Sequence, residues 1–148
     1  MKCQIRFSNE NEIQRLVELS EAFEQEECCN GIVSDDYNHF ANKKVAVCLV
    51  KGEIVGYCYG TIEKEDMMRS YSNVGDLIYY LDEMYLLPEY RNCGIGKRLF
   101  EYVEKYAKQN SCKTIRLNAV SKDYKRLLYF YIEELGMNFW SAFLVKNI

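Results

Sequence analysis

The sequence predicts a mixed α/β fold: one central sheet, mostly antiparallel, with a parallel pair in its second half and helices on both faces. Three observations predict it. The runs Lys44 to Val50 and Ile54 to Glu63 flank the tight turn Lys51-Gly52-Glu53, which makes a hairpin and therefore antiparallel neighbours. In the second half helical patterns follow strands, and such crossovers join parallel neighbours. Finally, Val45, Ala46, Val47, Cys48, Leu49 and Val50 leave no polar face, the mark of a strand covered on both sides. With 148 residues and 17.5 kDa, residues 1–148 are read as a single domain with its own core.

Taken in order, Gln4 to Phe7 reads as the first strand. Ser8 is placed to cap a helix whose acidic first turn suits the positive helix end and whose positions Ile13, Leu16, Val17, Ser20 and Phe23 follow helical spacing. Asn30-Gly31 breaks the pattern, and Asp35 to Phe40 forms a short second helix. The hairpin follows. Glu63 to Asp76 is polar and contains Gly75, so it is expected to be a loop or the frayed extension of two long strands. Leu77 to Leu87 is the next strand, stopped by Pro88, which has no N–H to give a ladder. Leu99, Val103, Tyr106 and Ala107 mark a helix from Gly96 to about Asn110. Thr114 to Val120 is a strand, Asp123 to Leu135 a helix closed by Gly136, and Phe139 to Val145 a last strand.

Hydrophobic residues make 49% and charged residues 28% of the chain, which excludes disorder and collagen-like or repeat architectures. The net charge of −3 conceals a division. Residues 1–40 hold three basic and nine acidic side chains, net −6, and the remainder sixteen basic and thirteen acidic, net +3. No Lys/Arg block is long enough to track a polyphosphate backbone, so nucleic acid is not an expected partner. Seven cysteines, an odd number with no C-x-x-C spacing, and a single His39 nine residues from the nearest Cys support neither a disulfide framework nor a metal site. The cysteines are read as small buried apolar residues of a cytoplasmic protein. No apolar run approaches a membrane span, and MKCQIRFSNENE has no apolar signal core.

Chemistry concentrates in Tyr79 to Lys97, YYLDEMYLLPEYRNCGIGK: a strand, a proline stop, and a glycine loop opening a helix. Gly94 and Gly96 permit turns closed to other residues, the free amides of the helix start attract anions, and Arg91 and Lys97 add positive charge on either side. Two familiar phosphate motifs fail. A P-loop needs Gly five residues before Gly96, where Arg91 stands, and the dinucleotide fingerprint needs a small residue three after it, where Leu99 stands.

What remains, Arg91-x-x-Gly94-x-Gly96 after Leu81-Asp82-Glu83-Met84-Tyr85-Leu86-Leu87-Pro88, resembles the GNAT superfamily of N-acetyltransferases, which use acetyl-CoA as cosubstrate and no metal. The element order fits nearly the whole chain, and the motifs lie within residues 79–136. The resemblance implies a central strand that carries a bulge and splays from its parallel neighbour. Backbone groups of Met84, Tyr85 and Leu86 would then pair with the pantetheine chain as an added strand does. Amides of Asn92, Cys93, Gly94, Ile95, Gly96 and Lys97 would hold the pyrophosphate. Cys93 has a second reading, as an oxidisable thiol with a pKa lowered by Arg91 and the helix end.

The reaction implied is direct attack of an amine on the thioester. An alkylamine of lysine type has a pKa of about 10, so it needs a proton acceptor. The resemblance implies a carboxylate in this part of the strand without fixing which. Adjacent Asp82 and Glu83 point to opposite faces; Glu83 is preferred for its reach, and the choice between them depends on whether the strand bulges locally. For the departing thiolate the resemblance implies a tyrosine on the helix after the fifth strand, four residues before a glycine. Here Tyr131 is five before Gly136, a departure that a π-bulge would accommodate; Tyr129 turns to another face.

The acidic residues Glu24, Glu26, Glu27, Asp35 and Asp36 lie where the resemblance places the acceptor side, which points to a small cationic amine such as a polyamine or an aminoglycoside. Three alternatives stand beside it: a protein lysine or N-terminal acetyltransferase, a non-catalytic acyl-CoA sensor, and an adaptor with a decayed pocket. The apolar last strand would pair with a second subunit if left at a sheet edge, giving a homodimer.

Overall fold

The computed structural model describes residues 1–148. Its sheet runs β1 (Gln4–Phe7), β2 (Val45–Val50), β3 (Glu53–Lys64), β4 (Leu77–Leu86), β5 (Cys112–Arg116) in spatial as in chain order. The first four strands pair antiparallel and β4 with β5 parallel, the mixed arrangement the sequence predicts. Helices α1 (Ile13–Glu26) and α2 (Tyr37–Ala41) lie between β1 and β2 in sequence, α3 (Ile95–Gln109) joins β4 to β5, and α4 (Tyr124–Tyr129) follows β5.

Each face of the sheet carries its own apolar cluster. On one, Ile13, Leu16, Leu19 and Phe23 of α1 and Phe40 of α2 pack on Val45, Val47, Leu49, Tyr57, Tyr59 and Tyr85. On the other, Ile95, Leu99, Phe100, Val103 and Ala107 of α3 pack on Ala46, Cys48, Val55, Cys58, Tyr79 and Leu81. All six residues of β2 are buried, because the strand feeds both clusters. All seven cysteines are free thiols, with Cys3, Cys48 and Cys58 buried.

Asn9, not Ser8, caps the entry to the first helix. Its side chain accepts from the Asn11 amide at 3.1 Å, and Glu12 accepts from the Asn9 amide at 2.9 Å, a reciprocal cap. Ser8 is still engaged with the sheet, its amide donating to the Val45 carbonyl at 2.8 Å.

The register of β4 decides which side chains meet. Tyr59 lies opposite Glu83 but Gly60 lies opposite Leu81, so Asp82 is an extra residue in the strand, a β-bulge. Without it Tyr79, Leu81, Glu83 and Tyr85 would share one face. With it Tyr79 and Leu81 face α3, while Tyr85 packs in the α1 cluster and Glu83 reaches Tyr57 there. At the bulge a Cβ on Gly60 would run into the Tyr80 carbonyl and the Tyr79 ring. Gly60→Ala is accordingly expected to cost about 1–3 kcal/mol, read as a lower urea midpoint with unchanged slope.

Strand β5 differs from its expected span, beginning at Cys112 and ending at Arg116 rather than running from Thr114 to Val120. Only Leu77 to Tyr80 of β4 pair with it, so from Leu81 onward that edge of β4 is open and the two strands diverge. The expected last strand, Phe139 to Val145, is also corrected. Residues 138–148 form no regular structure and pair with no strand, although the outer edge of β5 is free. The loop after β3 is held by buried Glu65, which accepts from Ser72 at 2.7 Å and pairs with Arg69 at 3.3 Å and Arg116 at 3.2 Å.

Candidate active site

The loop from β4 to α3 presents a run of free amides. Tyr90 and Arg91 close a turn onto the Leu87 and Pro88 carbonyls, and the next internal backbone bond is Arg98 N–H to Gly94 O at 3.2 Å. The amides of residues 92–97 between them have no acceptor within the chain. Positive φ at Asn92 (59°) and Gly94 (83°) curls this run into a concavity at the start of α3, a geometry suited to phosphate oxygens. Gly94 is the glycine the backbone requires. Gly96 lies within α3 and needs no left-handed conformation; its missing side chain sits 3.4 Å from Phe130.

Cations around the loop are arranged differently from expectation. The guanidinium of Arg91 turns away from the amides: it forks onto Glu26 at the end of α1 (2.5 and 2.7 Å), donates Nε to the Leu86 carbonyl at 2.9 Å, and lies over the Tyr85 ring. Hydrogen bonds from Arg91 hold the Glu26 carboxyl below the usual carboxylate range despite burial. Arg98 is spent on Cys3, just before β1, donating to its Sγ at 2.7 Å and carbonyl at 3.1 Å. Lys97 makes no ion pair. Arg126 of α4 donates to the Asn92 side chain, a cation the sequence pattern did not single out. Cys93 is exposed and its thiol donates to the Tyr90 carbonyl at 2.9 Å.

Arg91 is thus the clasp between α1 and the loop. Arg91→Lys, which keeps the charge but loses the fork, is expected to lower stability by about 1–2 kcal/mol and to loosen the loop, checked by thermal melting. Because Glu26 is shifted down, this stabilisation is present above the ordinary carboxylate pKa and lost as pH falls through the lowered one.

The two strand carboxylates occupy different environments. Asp82, on the bulge, is exposed and accepts from Thr61 Oγ1 at 2.9 Å. Glu83 is half-buried beneath α1 and α2 and accepts a hydrogen bond from the buried Tyr57 hydroxyl. Burial pushes its carboxyl up to about 7, with Asp35 and Asp82 adding to the rise and Tyr57 opposing it. Next to it Tyr59 donates to Asp35 at 2.8 Å, and His39 Nε2 lies 3.1 Å from the Tyr59 hydroxyl and 3.5 Å from Asp35. Sequence reasoning missed Tyr57, Tyr59 and His39. The Tyr57-x-Tyr59 spacing on one strand face was the available signal, but its alignment with Glu83 depends on the bulge.

Tyr131 lies on the other side of β4, buried against Phe100 and Phe130. The helix after Tyr129 is π over Phe130–Glu134, with Leu135 N–H bonding Phe130 O at 3.1 Å. It closes at Gly136, where Met137 N–H reaches Tyr131 O at 2.9 Å. The wide turn absorbs the extra residue in the spacing to Gly136 and directs Tyr131 inward, whereas Tyr129 is 61% exposed. Burial raises the phenol pKa further above its ordinary value.

A strap links the two walls of the opening. Past Glu26, which is tied to the β4 side, Asn30 N–H bonds Val120 O and Lys122 N–H bonds Cys28 O, each at 2.9 Å. Beside it a cleft of about 330 Å³ is lined by Phe23, Glu24, Glu27, Cys29, Ile32 and Lys122. Burial, then neighbouring Cys28, pushes the Cys29 thiol up to about 12, with Glu83 among the lesser charges it feels. The arrangement therefore joins an amide-lined anion loop, an open strand edge, a carboxylate poised near neutrality and a buried phenol.

Known proteins resemble this chain in sequence profile and in fold. The sequence profile of the acetyltransferase (GNAT) family matches residues 11–137. Among solved structures, an aminoglycoside N-acetyltransferase in complex with CoA superposes with a TM-score of 0.75 at 14% identity, covering 99% of this chain and 95% of the other. A predicted acetyltransferase of Clostridium acetobutylicum with acetyl-CoA gives 0.73 at 18% identity (99% and 96% covered). A ribosomal-protein-alanine N-acetyltransferase from Brucella melitensis biovar Abortus gives 0.69 at 18% (99% and 100% covered). No curated protein matches the chain by sequence.

Proposed function

The chain belongs to the acetyltransferase (GNAT) family, and on that premise we propose that it transfers an acetyl group from acetyl-CoA directly to the primary amine of a small cationic molecule. The observation that carries the proposal is the placement of Glu83 and Tyr131 on opposite sides of the open part of β4, beside the amide-lined loop. Residues present fit the cosubstrate. The amides of 92–97 would hold the pyrophosphate with help from Lys97 and Arg126, and the free edge of Met84, Tyr85 and Leu86 would take the pantetheine as a strand takes a neighbour. Acetyl-CoA supplies the activated acetyl thioester.

Glu83 receives the proton of the incoming amine, directly or through one water. A carboxyl near 7 suits a proton acceptor, because it is ionised in a useful fraction at neutral pH, and Tyr57 holds it oriented. Tyr131 supplies a proton to the sulfur as the C–S bond of the tetrahedral intermediate breaks, and its phenolate, more basic than the free thiol of CoA, regains a proton from solvent before the next turnover. Asp82 stays outside this exchange, bonded to Thr61 in solvent.

The acidic surroundings support a cationic acceptor. Asp35 adjoins Glu83 through Tyr59, and Glu24 and Glu27 line the cleft beside the strap. A protein lysine or N-terminal amine is the alternative acceptor, and a CoA-binding sensor is the alternative without turnover. Thermal shift separates binding from its absence: CoA at a hundred times its dissociation constant is expected to add about 2.7 kcal/mol. Steady-state rates with charged and neutral amines across ionic strength test the acceptor class. The cationic substrate is expected to slow with salt, and no salt sensitivity would remove the steering role of the acidic face.

A further inference from the structure

Two carboxylates are held side by side on the α1 face of the sheet, and only one of them has a task in the transfer. Tyr57 and Tyr59, two residues apart on β3, stack with ring centroids 6.1 Å apart and 19° between their planes. The Tyr57 hydroxyl donates to Glu83 and the Tyr59 hydroxyl to Asp35, the latter at 2.8 Å, so neighbouring phenols carry neighbouring carboxylates. Register reinforces the pairing, because Tyr59 lies directly opposite Glu83. Asp35 is fixed by more than Tyr59. Its amide donates at 2.8 Å to the hydroxyl of Ser20, the one polar residue on the buried stripe of α1, and His39 Nε2 stands 3.5 Å from its carboxylate. The titratable groups facing Glu83 are Asp35 from the loop before α2, Tyr57 and Tyr59 of β3, Asp82 of β4 and Cys29 of the strap, with no lysine or arginine among them. Beyond Asp35 stands His39 of α2, a cation only when protonated. Burial contributes most to the raised proton affinity of Glu83, and Asp35 is the first of the charges that add to it.

Resting on the reading of Glu83 as the proton acceptor, we propose that Asp35 is a positioning residue for it: the Asp35 carboxylate, clamped by Tyr59, Ser20 and His39, holds the proton on Glu83 in the free protein, and an ammonium group of the acceptor that pairs with Asp35 releases Glu83 to act. On that release Glu83 gives its proton to solvent. It then takes one from the attacking nitrogen, and so begins and ends each turnover protonated. Asp35 acts through Glu83 by repulsion between like charges, which the arriving cation cancels. Positive charge on the acceptor thereby readies the base as well as drawing the molecule in, an effect that a diffuse acidic surface would not produce.

The test compares the pH profile of kcat/KM, which titrates the free protein, with that of kcat, which titrates the complex. In the wild type the limb in kcat is expected at lower pH than the limb near 7 in kcat/KM. Asp35→Asn, whose amide oxygen still accepts from Tyr59 and whose N–H still reaches Ser20, is expected to move the kcat/KM limb to lower pH and to narrow the gap. A merely structural residue would scale the rates without moving the midpoint. His39→Gln is expected to keep the limb near 7, which assigns it to the carboxyl and not to the imidazole. Infrared titration of the free protein gives a reading independent of turnover: the protonated-carboxyl band that Glu83→Gln removes should titrate at lower pH in Asp35→Asn. Coincident limbs in the wild type, a limb that disappears in His39→Gln, or a band that stays in place in Asp35→Asn overturns the proposal. A band that moves as expected while Glu83→Gln keeps full turnover upholds the coupling and overturns instead the assignment of Glu83 as proton acceptor. Should no amine be turned over, the infrared titration alone decides.

Discussion

Replacing Glu83 with Gln is expected to lower kcat by about 10²- to 10⁴-fold while CoA binding persists, because the amide can still accept from Tyr57 but cannot take a proton. In the wild type, kcat/KM should rise with pH through a limb near 7, set by the raised carboxyl, and Asp82→Asn should keep that limb while moving it to lower pH, because Asp82 supplies a lesser part of the rise. The Glu83→Gln substitution should change stability in the opposite direction. An unfolded Glu ionises near 4.5, the folded Glu83 near 7. Between those values the unfolded state is ionised and the folded state is not, so raising pH favours unfolding. The cost is absent below the first value and complete above the second, where it amounts to roughly 3 kcal/mol. Gln removes it. An inactive variant that melts higher than wild type at pH 8, and equally at pH 4, would mark Glu83 as a group kept at the expense of stability for chemistry.

Tyr131→Phe carries the second large effect. The ring sits between Phe100 and Phe130, so Phe fits the same volume and stability should change by no more than about 1 kcal/mol. Turnover is expected to fall about 10²-fold with CoA affinity unchanged, because the departing thiolate loses its proton donor. A tyrosine serving only as core would leave turnover intact. Tyr129→Phe, at an exposed position that turns away from the opening, should behave as wild type.

Much of this architecture is legible in the residues. The all-apolar run Val45 to Val50 announces a central strand, Lys51-Gly52 announces its hairpin, and Pro88 followed by Gly94 announces the strand-to-helix loop; each is a local signal and each element forms where the pattern places it. The five-residue spacing from Tyr131 to Gly136 is itself informative, since a residue too many for an α-turn is what a π-turn absorbs. What stayed hidden depends on partners remote in sequence. Nothing near Asp82 signals that the strand bulges there, because the bulge is a mismatch with Tyr59 and Gly60 more than twenty residues away. Arg91 has the look of a phosphate ligand until Glu26, sixty-five residues earlier, is seen to occupy its guanidinium. The segment after Asn138 has strand composition, but composition does not by itself pair it with the free edge of β5.

The charge division also acquires a location. The acidic first forty residues contribute Glu26 to the clasp on Arg91, Asp35 to the surroundings of Glu83, and Glu24 and Glu27 to the cleft. Their distribution puts negative charge on the side proposed for the amine, opposite the amides and the cations Lys97 and Arg126 at the proposed phosphate loop.

The central claim, acetyl transfer through this site, is tested most directly by mass spectrometry of a panel of amines incubated with the protein and acetyl-CoA. The panel should include polyamines, aminoglycosides, neutral amines and peptides with free lysine and N-terminal amines. The expected result is a singly acetylated polycationic amine appearing in step with free CoA, at a rate that collapses in Glu83→Gln. Tight CoA binding with no amine acetylated and no thioester hydrolysed would contradict it and leave a sensor in place of an enzyme.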